Sequence, residues 1–342
     1  MLTVVYVSCS DGPHIAVLHF DPLTGSIHEI GRVVVPGGVP SPGSLPMAVS
    51  ADRRFLYAGL RDAPHPVTSF AIDPRDGGLS VLGTAVLADS MCYLAVDATG
   101  RSLFSASYGG SKLAVNPIGA DGVAGDPAQM IATPPKAHCA VPDPANRFVY
   151  AASLGRDAIL CQAFDAATGR LAPTAHIAGR TKPGAGPRHI VFGQGGRILY
   201  VINELDGSIA VFARDPATGA LTERQVISLL PDGVSGASAA DIHLTPDGHF
   251  LYGSERRTHT LVGFTVDPAD GTLAPLCRVP SEATPRGFAI APGGRFLLCA
   301  GMTSGRLGVN AIDQETGVLV PTGAIEAGMG ANWVEIIQLK NT

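Results

Sequence analysis

The stretch RDPATGAL, residues 214–221, reads as a surface turn: Asp-Pro opens it, Gly closes it and a hydrophobic residue follows. It decides the fold because the chain repeats it. FDPLTGSI starts at Phe20, IDPRDGGL at Ile72, FDAATGRL at Phe164, VDPADGTL at Val266 and IDQETGVL at Ile312, with a degraded copy, PIGADGVA, at Pro117. Seven copies of one turn mean seven copies of the unit around it. In each, Pro where present fixes φ, and Gly supplies a left-handed residue before the next strand.

A second signal sets the period. Strands of the form R-F-L-Y follow polar turns at RRFLY, GRSLF, NRFVY, GRILY, GHFLY and GRFLL, and the chain begins with a similar strand, TVVYV. Their aligned last residues are Tyr6, Tyr57, Phe104, Tyr150, Tyr200, Tyr252 and Leu298, so the spacings are 51, 47, 46, 50, 52 and 46 residues. That range belongs to propeller and array repeats. Each period holds four short strands and no helical periodicity, which predicts a four-stranded antiparallel blade. The chain starts at a second strand and ends with NWVEII, which matches an innermost strand. The expected fold is therefore an all-β, seven-bladed β-propeller filling residues 1–342 as one domain. Its terminal blade is closed by the carboxy-terminal strand plus three amino-terminal strands, which removes free sheet edges.

Composition agrees with a buried core cut by many turns: 46% of residues are hydrophobic, 15% are charged, and there are 42 Gly and 27 Pro. With 24 basic against 29 acidic residues the net charge is −5, so the broad positive field that supports nucleic-acid binding is missing. Cys9, Cys92, Cys139, Cys161, Cys277 and Cys299 form no CxxC pair and show no zinc spacing, which predicts reduced thiols. There is no signal-like leader before the first apolar run, and no apolar stretch approaches the roughly 20 residues of a membrane helix. These features predict a soluble, cytoplasmic monomer or small homo-oligomer with neither nucleic acid nor membrane as partner.

Strand register locates a site. Counting nine residues back from the turn position before each FLY unit places the starts of the innermost strands at Leu45, Cys92, His138, Arg188, Ala240 and Arg286. Counting four residues past each aligned Tyr, Phe or Leu gives Ser10, Arg61, Tyr108, Leu154, Glu204, Arg256 and Met302. In a propeller the innermost strands line the channel, and the loop leaving the second strand opens where the innermost strand begins, so both rings face one funnel. His189, Asp241 and His243 lie one to three residues inward, whereas His249 and His259 fall in turns at the surface. A single Arg at a strand end is ordinarily a solvated rim group, and Arg256 and Glu204, in adjacent blades, are also placed to neutralise each other. The convergence of Arg61, His138, Arg188, Arg256 and Arg286 with Glu204 and Tyr108 says more. Four arginines and a histidine around one carboxylate point to a small anionic ligand bearing phosphate or carboxylate.

Other chemistries fit poorly. The sequence has no GxSxG elbow and no GxxxxGK phosphate loop. GAGP at 184–187 leads into a strand and offers no helix dipole. Too few carboxylates and histidines converge for calcium or zinc, so neither a metal nor a cofactor is expected.

GPRHIVF at 186, INELDGSIAVF at 202, ADIHLTPDGHFLY at 240, PRGFAIAPGGRFLL at 285 and SYGGSKLAVNPI at 107 carry a resemblance over essentially the whole chain. The sequence resembles the bacterial seven-bladed 6-phosphogluconolactonases, a family that includes the fungal carboxy-cis,cis-muconate cyclase. The resemblance implies catalytic roles for His138, Arg188, Glu204 and Arg286, four residues that register also selects. The third-blade motif departs from the family's His-rich form, reading PKAHCAV. The implied activity is hydrolysis of a sugar-acid lactone, 6-phospho-D-glucono-1,5-lactone foremost. Either His138 or Glu204 serves as general base, Arg188 and Arg286 stabilise the oxyanion, and Arg61 and Arg256 hold the phosphate. Tyr108, His189, Asp241 and His243 complete the expected substrate-binding set. Two alternatives stay open: a cycloisomerase acting on a muconate-type dicarboxylate, and a non-catalytic propeller that binds partners.

Overall fold

Asp215 shows how the repeated turn forms. Its carboxylate accepts the Ala217 N–H at 2.8 Å and the Thr218 hydroxyl at 2.7 Å, while its carbonyl accepts the Gly219 N–H at 2.9 Å. The same arrangement recurs at Asp21, Asp165 and Asp313. Each turn therefore folds on local hydrogen bonds alone.

A computed structural model describes residues 1–39 and 43–339. In it the turns join the third and fourth strands of seven antiparallel sheets. Blade 1 is Met47–Val49, Phe55–Gly59, Pro66–Ile72 and Leu79–Val86; blade 2 is Met91–Val96, Ser102–Ser107, Lys112–Pro117 and Gln129–Ala132. Blade 3 begins with Val141–Pro142, Phe148–Ser153 and Ala158–Asp165; blade 4 is Pro187–Gly193, Ile198–Asn203, Ser208–Arg214 and Leu221–Ser228. Blade 5 is Ala239–Leu244, Phe250–Glu255, Thr260–Val266 and Leu273–Pro280; blade 6 is Pro285–Ile290, Phe296–Gly301, Arg306–Ile312 and Leu319–Glu326. Blade 7 is the expected clasp, with Ala331–Gln338 pairing antiparallel to Thr3–Cys9, followed by His14–Phe20 and Ile27–Val34. Blade 3 departs from four strands. Its outer edge is split into Arg170–Leu171 and His176–Arg180, both pairing with Ala158–Asp165, around Pro173, which has no N–H for the ladder.

The core is not one mass. It divides into seven apolar clusters, each drawn from two neighbouring blades. Middle strands such as Ile198–Asn203 are buried throughout, and outer strands such as Ile27–Val34 alternate between half-buried and exposed. The FLY tyrosines lock five of the blades to the next turn. Tyr6, Tyr57, Tyr150, Tyr200 and Tyr252 donate their buried hydroxyls to the carbonyls of Gly77, Gly122, Gly219, Gly271 and Gly317, the turn glycines of the following blades, at 2.6 to 3.0 Å. Each bond contributes on the order of 1 kcal/mol. At Gly317 a Cβ would lie 2.3 Å from Phe250, with φ at +74°. The repeated turn is thus an inter-blade contact as well as a chain reversal.

Five of the innermost strands, those of blades 2, 4, 5, 6 and 7, share one irregularity. Their pairing with the second strand slips between Met91 and Tyr93, Pro187 and His189, Ala239 and Ile242, and Pro285 and Gly287, and again around Asn332 in the closing strand. The extra residues are Cys92, Arg188, Ala240 with Asp241, Arg286 and Asn332. A β-bulge re-aims the side chain it inserts, so this ring of bulges marks the channel mouth. The strands begin at Met91, Pro187, Ala239 and Pro285, one residue before the register positions, and His138 precedes its strand, held by its N–H on the Ala152 carbonyl at 2.9 Å.

Candidate active site

The bulge at Arg188 lets Arg188 and His189, consecutive in sequence, both reach the channel. Arg188 is 2% exposed. Its Nε lies 3.1 Å from Glu204 Oε2, and its Nη1 donates to the Ala240 carbonyl. Glu204 comes from the loop leaving the second strand of blade 4, its N–H donating to the Gly186 carbonyl at 2.7 Å. Its other oxygen, Oε1, takes Arg256 Nη2 from blade 5 at 2.9 Å. His138 Nε2 lies 4.0 Å from Glu204 Oε2, and its Nδ1 is buried without a hydrogen-bond partner among the described residues. Tyr108 lies edge-on to His138 with ring centroids 5.8 Å apart.

Arg286 enters from blade 6. Gly287 beside it packs where a Cβ would lie 2.5 Å from the Asn332 carbonyl oxygen, so glycine permits the close approach of blades 6 and 7. No carboxylate pairs with Arg286 among the described residues; its recorded contact is Met302 Sδ at 3.8 Å. Burial, then Arg188, Arg256 and Arg61, pull its pKa down to about 9. Arg61 donates its Nε to Ser90 Oγ at 3.1 Å. Four arginines therefore share one field, with Glu204 as the carboxylate between two of them.

Protonation states follow. Burial pushes Glu204 up, but Arg188 and Arg256 outweigh it and hold the carboxyl below its usual value, so Glu204 is ionised at neutral pH. Burial, then Arg188, His189 and Arg286, hold His138 well below the usual imidazole value, so it is neutral. Cys92, the second-blade counterpart of Arg188, is a buried thiol whose pKa burial raises, and its Sγ lies 3.5 Å from the His138 carbonyl. Such a thiol is a poor nucleophile. Among the described residues, no three His, Cys, Asp or Glu side chains gather as a metal-ligating cluster.

The expected set does not all face one space. Arg61, Tyr108, His138, Arg188, Glu204, Arg256 and Arg286 come together at the bulged mouth. Below them Tyr93, His189 and Trp333 form a layer of rings across the channel, with the mouth residue His138 packed on His189 and centroids 5.1 to 5.9 Å apart. His189 and Asp241 belong to this layer, His189 Nδ1 lying 2.8 Å from Asp241 Oδ1. His243 lies beyond it, in a cavity of about 360 Å³ toward the other end of the channel, lined also by Glu335, Trp333 and Phe288. Counting residues inward missed this because each residue advances about 3.3 Å along the strand, which carries His243 away from the mouth. Arg256, expected to hold phosphate, spends its Nε on the Ser238 carbonyl at 2.9 Å and an Nη on Glu204. Sequence reasoning did not find Ser90, Tyr93, Glu335 or Lys136, whose Nζ lies 5.4 Å from the centre of the Tyr108 ring. Of these, Tyr93 alone had a signal, as the neighbour of Cys92. His249 and His259 are exposed in their turns.

Comparison with known proteins places the chain. The family model described as lactonase, 7-bladed beta-propeller, matches residues 3–336. A protein of Pectobacterium carotovorum subsp. carotovorum named 6-phosphogluconolactonase is 39% identical over 341 residues, covering 99% of this chain and all of the relative. A Serratia proteamaculans protein of the same name is 38% identical, covering 98% of this chain and 99% of its own. The solved structure of the periplasmic gluconolactonase of Pseudomonas aeruginosa superposes with a TM-score of 0.88 at 29% identity, covering 99% of this chain and all of that one. The chain belongs to the seven-bladed β-propeller lactonase family.

Proposed function

We propose that this protein hydrolyses a sugar-acid lactone, 6-phospho-D-glucono-1,5-lactone, to 6-phosphogluconate. The observation that carries the reading is Arg286, a cation lodged among three other arginines with no carboxylate of its own among the described residues. An anionic group, or an oxygen gaining negative charge in a transition state, relieves that repulsion. The names of the full-length relatives support the phosphorylated lactone.

The chemistry needs one base and one oxyanion site. His138, neutral at working pH, takes a proton from water through Nε2 as the water oxygen adds to the lactone carbonyl carbon. Glu204, 4.0 Å from that nitrogen, stabilises the imidazolium. Arg188 and Arg286 bind the carbonyl oxygen as it gains charge. The tetrahedral intermediate collapses by breaking the ring C–O bond, and the His138 proton passes to the departing alkoxide, leaving a carboxylic acid that ionises and a free hydroxyl. Because Arg256 is engaged by Glu204, Arg61 is the arginine that takes the phosphate. The setting we infer is the cytoplasm, in line with six cysteines held as free thiols; no helix among the described residues is long and apolar enough to cross a membrane.

Proton release in weak buffer, with fresh 6-phosphogluconolactone and its unphosphorylated analogue, tests the reading as the excess over an enzyme-free blank. We expect the phosphorylated lactone to open faster with wild type, and Arg286→Ala to lose on the order of 10²–10³-fold of that excess. If wild type accelerates neither lactone, the reading falls and the muconate-type cyclisation becomes the one to assay.

A further inference from the structure

The mechanism leaves Asp241 unused, although it is the most heavily bonded carboxylate in the channel. Oδ1 accepts His189 Nδ1 at 2.8 Å and the Ile242 N–H at 3.0 Å; Oδ2 accepts the Phe288 N–H at 3.1 Å and lies 3.2 Å from His243 Nε2. Those four donors come from three blades, which fixes the carboxylate in place. On the far side of the His189 ring, Nε2 lies 3.2 Å from Arg188 Nη1.

We propose that Asp241 is a positioning residue that acts on Arg188 through His189. Two independent constraints select one state of the imidazole. An ionised carboxylate only accepts, so the nitrogen facing Asp241 carries the proton; a guanidinium only donates, so the nitrogen facing Arg188 is bare. His189 is therefore neutral, with the proton on Nδ1 and an acceptor lone pair on Nε2. In that state it receives an Arg188 N–H and, with the Ala240 carbonyl, leaves the guanidinium turned so that its Nε meets Glu204. With the proton on Nε2, an N–H would face an N–H and Arg188 would turn away from the mouth.

The surroundings keep this state over a wide pH range. His189 faces Arg188, His138, Tyr93, Trp333 and Asp241, with His243 behind the carboxylate. Burial, then Arg188, lowers its pKa to about 4. Burial pushes Asp241 up, but His243 and then His189 hold it well below the carboxylate range, so it stays ionised. The inference rests on the lactonase reading for its effect on rate, and on the channel geometry alone for the tautomer.

Two readouts separate those dependencies. Ring-nitrogen NMR on the full chain labelled with ¹⁵N-histidine, with His189 assigned by the signals lost in His189→Gln, is expected to show Nδ1 protonated and Nε2 bare from pH 8 to about pH 5. Asp241→Asn, which presents an N–H in place of one acceptor oxygen, is expected to move protons onto Nε2 and lower kcat on the order of 10–100-fold with little change in KM. His189→Gln, whose amide oxygen can stand where Nε2 stood, is expected to keep more activity than His189→Phe, which presents no acceptor. A wild-type spectrum with the proton on Nε2, or on both nitrogens at neutral pH, overturns the proposal, as does equal loss in the Gln and Phe variants. Asp241→Asn leaves a buried backbone N–H unpaired; if it does not fold, the spectrum and the His189 pair still decide. If wild type opens no lactone, the functional reading fails while the spectrum judges the relay independently.

Discussion

The outer rim and the channel mouth are built from the same repeat and obey opposite rules. At the rim, most positions do in one blade what they do in the next: an aspartate caps the turn, a glycine crosses into left-handed φ, and in five blades a tyrosine from the preceding blade closes on its carbonyl. The groups there are neutral or locally paired, and most bonds are satisfied within a few residues or by the adjacent blade. At the mouth, one register level carries Cys92, His138, Arg188, Ala240 and Arg286 in successive blades, and its cations outnumber its anions. What the repeat keeps constant holds the ring together. Chemistry sits where the residue changes from blade to blade, at strand starts and in the loops beside them, with Arg188 and Arg286 on bulges that supply an extra residue without disturbing the clusters behind them.

This division predicts that damage separates. Removing Arg188 strikes the mouth hardest: Arg188→Ala is expected to lower lactone-opening kcat on the order of 10²–10³-fold. Its thermal midpoint should stay near wild type, because the bulge position is outside the seven apolar clusters. Activity measured beside a thermal melt checks both halves. A collapse of the fold would mean that the Arg188–Glu204 pair serves as a strut and that mouth and rim are not independent.

The rim should give the reverse. Gly317→Ala must place a Cβ into the ring of Phe250 while holding φ at +74°, so we expect a loss of about 2–4 kcal/mol in urea unfolding, with kcat unchanged in the folded fraction. A drop in kcat at intact stability would show that the inter-blade contacts set the mouth geometry.

The same contrast explains what could be read from the sequence. The fold was legible because its signals are local and periodic: DPATG-like turns form on their own side chains, and the FLY strands recur every 46 to 52 residues. The mouth was legible because register converts sequence position into height along the axis, which is how Arg188, Glu204 and Arg286 emerged from a ring of unlike residues. Depth was lost. Bulges insert a residue at the point where counting begins, so His189, Asp241 and His243, neighbours in register, leave the mouth: the first two join the ring layer and the third reaches the far cavity. Pairing was also lost, since nothing in the string says that Arg256 spends itself on Glu204 or that Trp333 and Glu335, on the closing strand, meet. The split outer strand of blade 3 has a written cue in Pro173, which the regular turn copy before it masks.

Glu335 offers the finest test, because it places an ionisable group in the channel with neither the rim's local satisfaction nor the mouth's counter-charges. It accepts the Trp333 Nε1–H at 2.9 Å on one oxygen, and burial, offset in part by that bond and by His243, raises its pKa to about 7 from an ordinary 4.5. The folded chain thus holds this proton more tightly than the unfolded chain. As pH rises from 4.5 toward 7 the unfolded state ionises first, so Glu335 removes stability across that window and the loss persists above it. Glu335→Gln keeps an acceptor for Trp333 and carries no charge. We expect it to match wild type below pH 4.5 and to be more stable by about 1–2 kcal/mol at pH 8, after allowance for the part of the side chain that is exposed. Urea midpoints at pH 4, 6 and 8 read the difference directly. A variant less stable than wild type at pH 8 would mean that the ionised carboxylate is needed there, paired with His243 across the far cavity, and that the two ends of the channel are more alike in charge logic than the crowded arginines suggest.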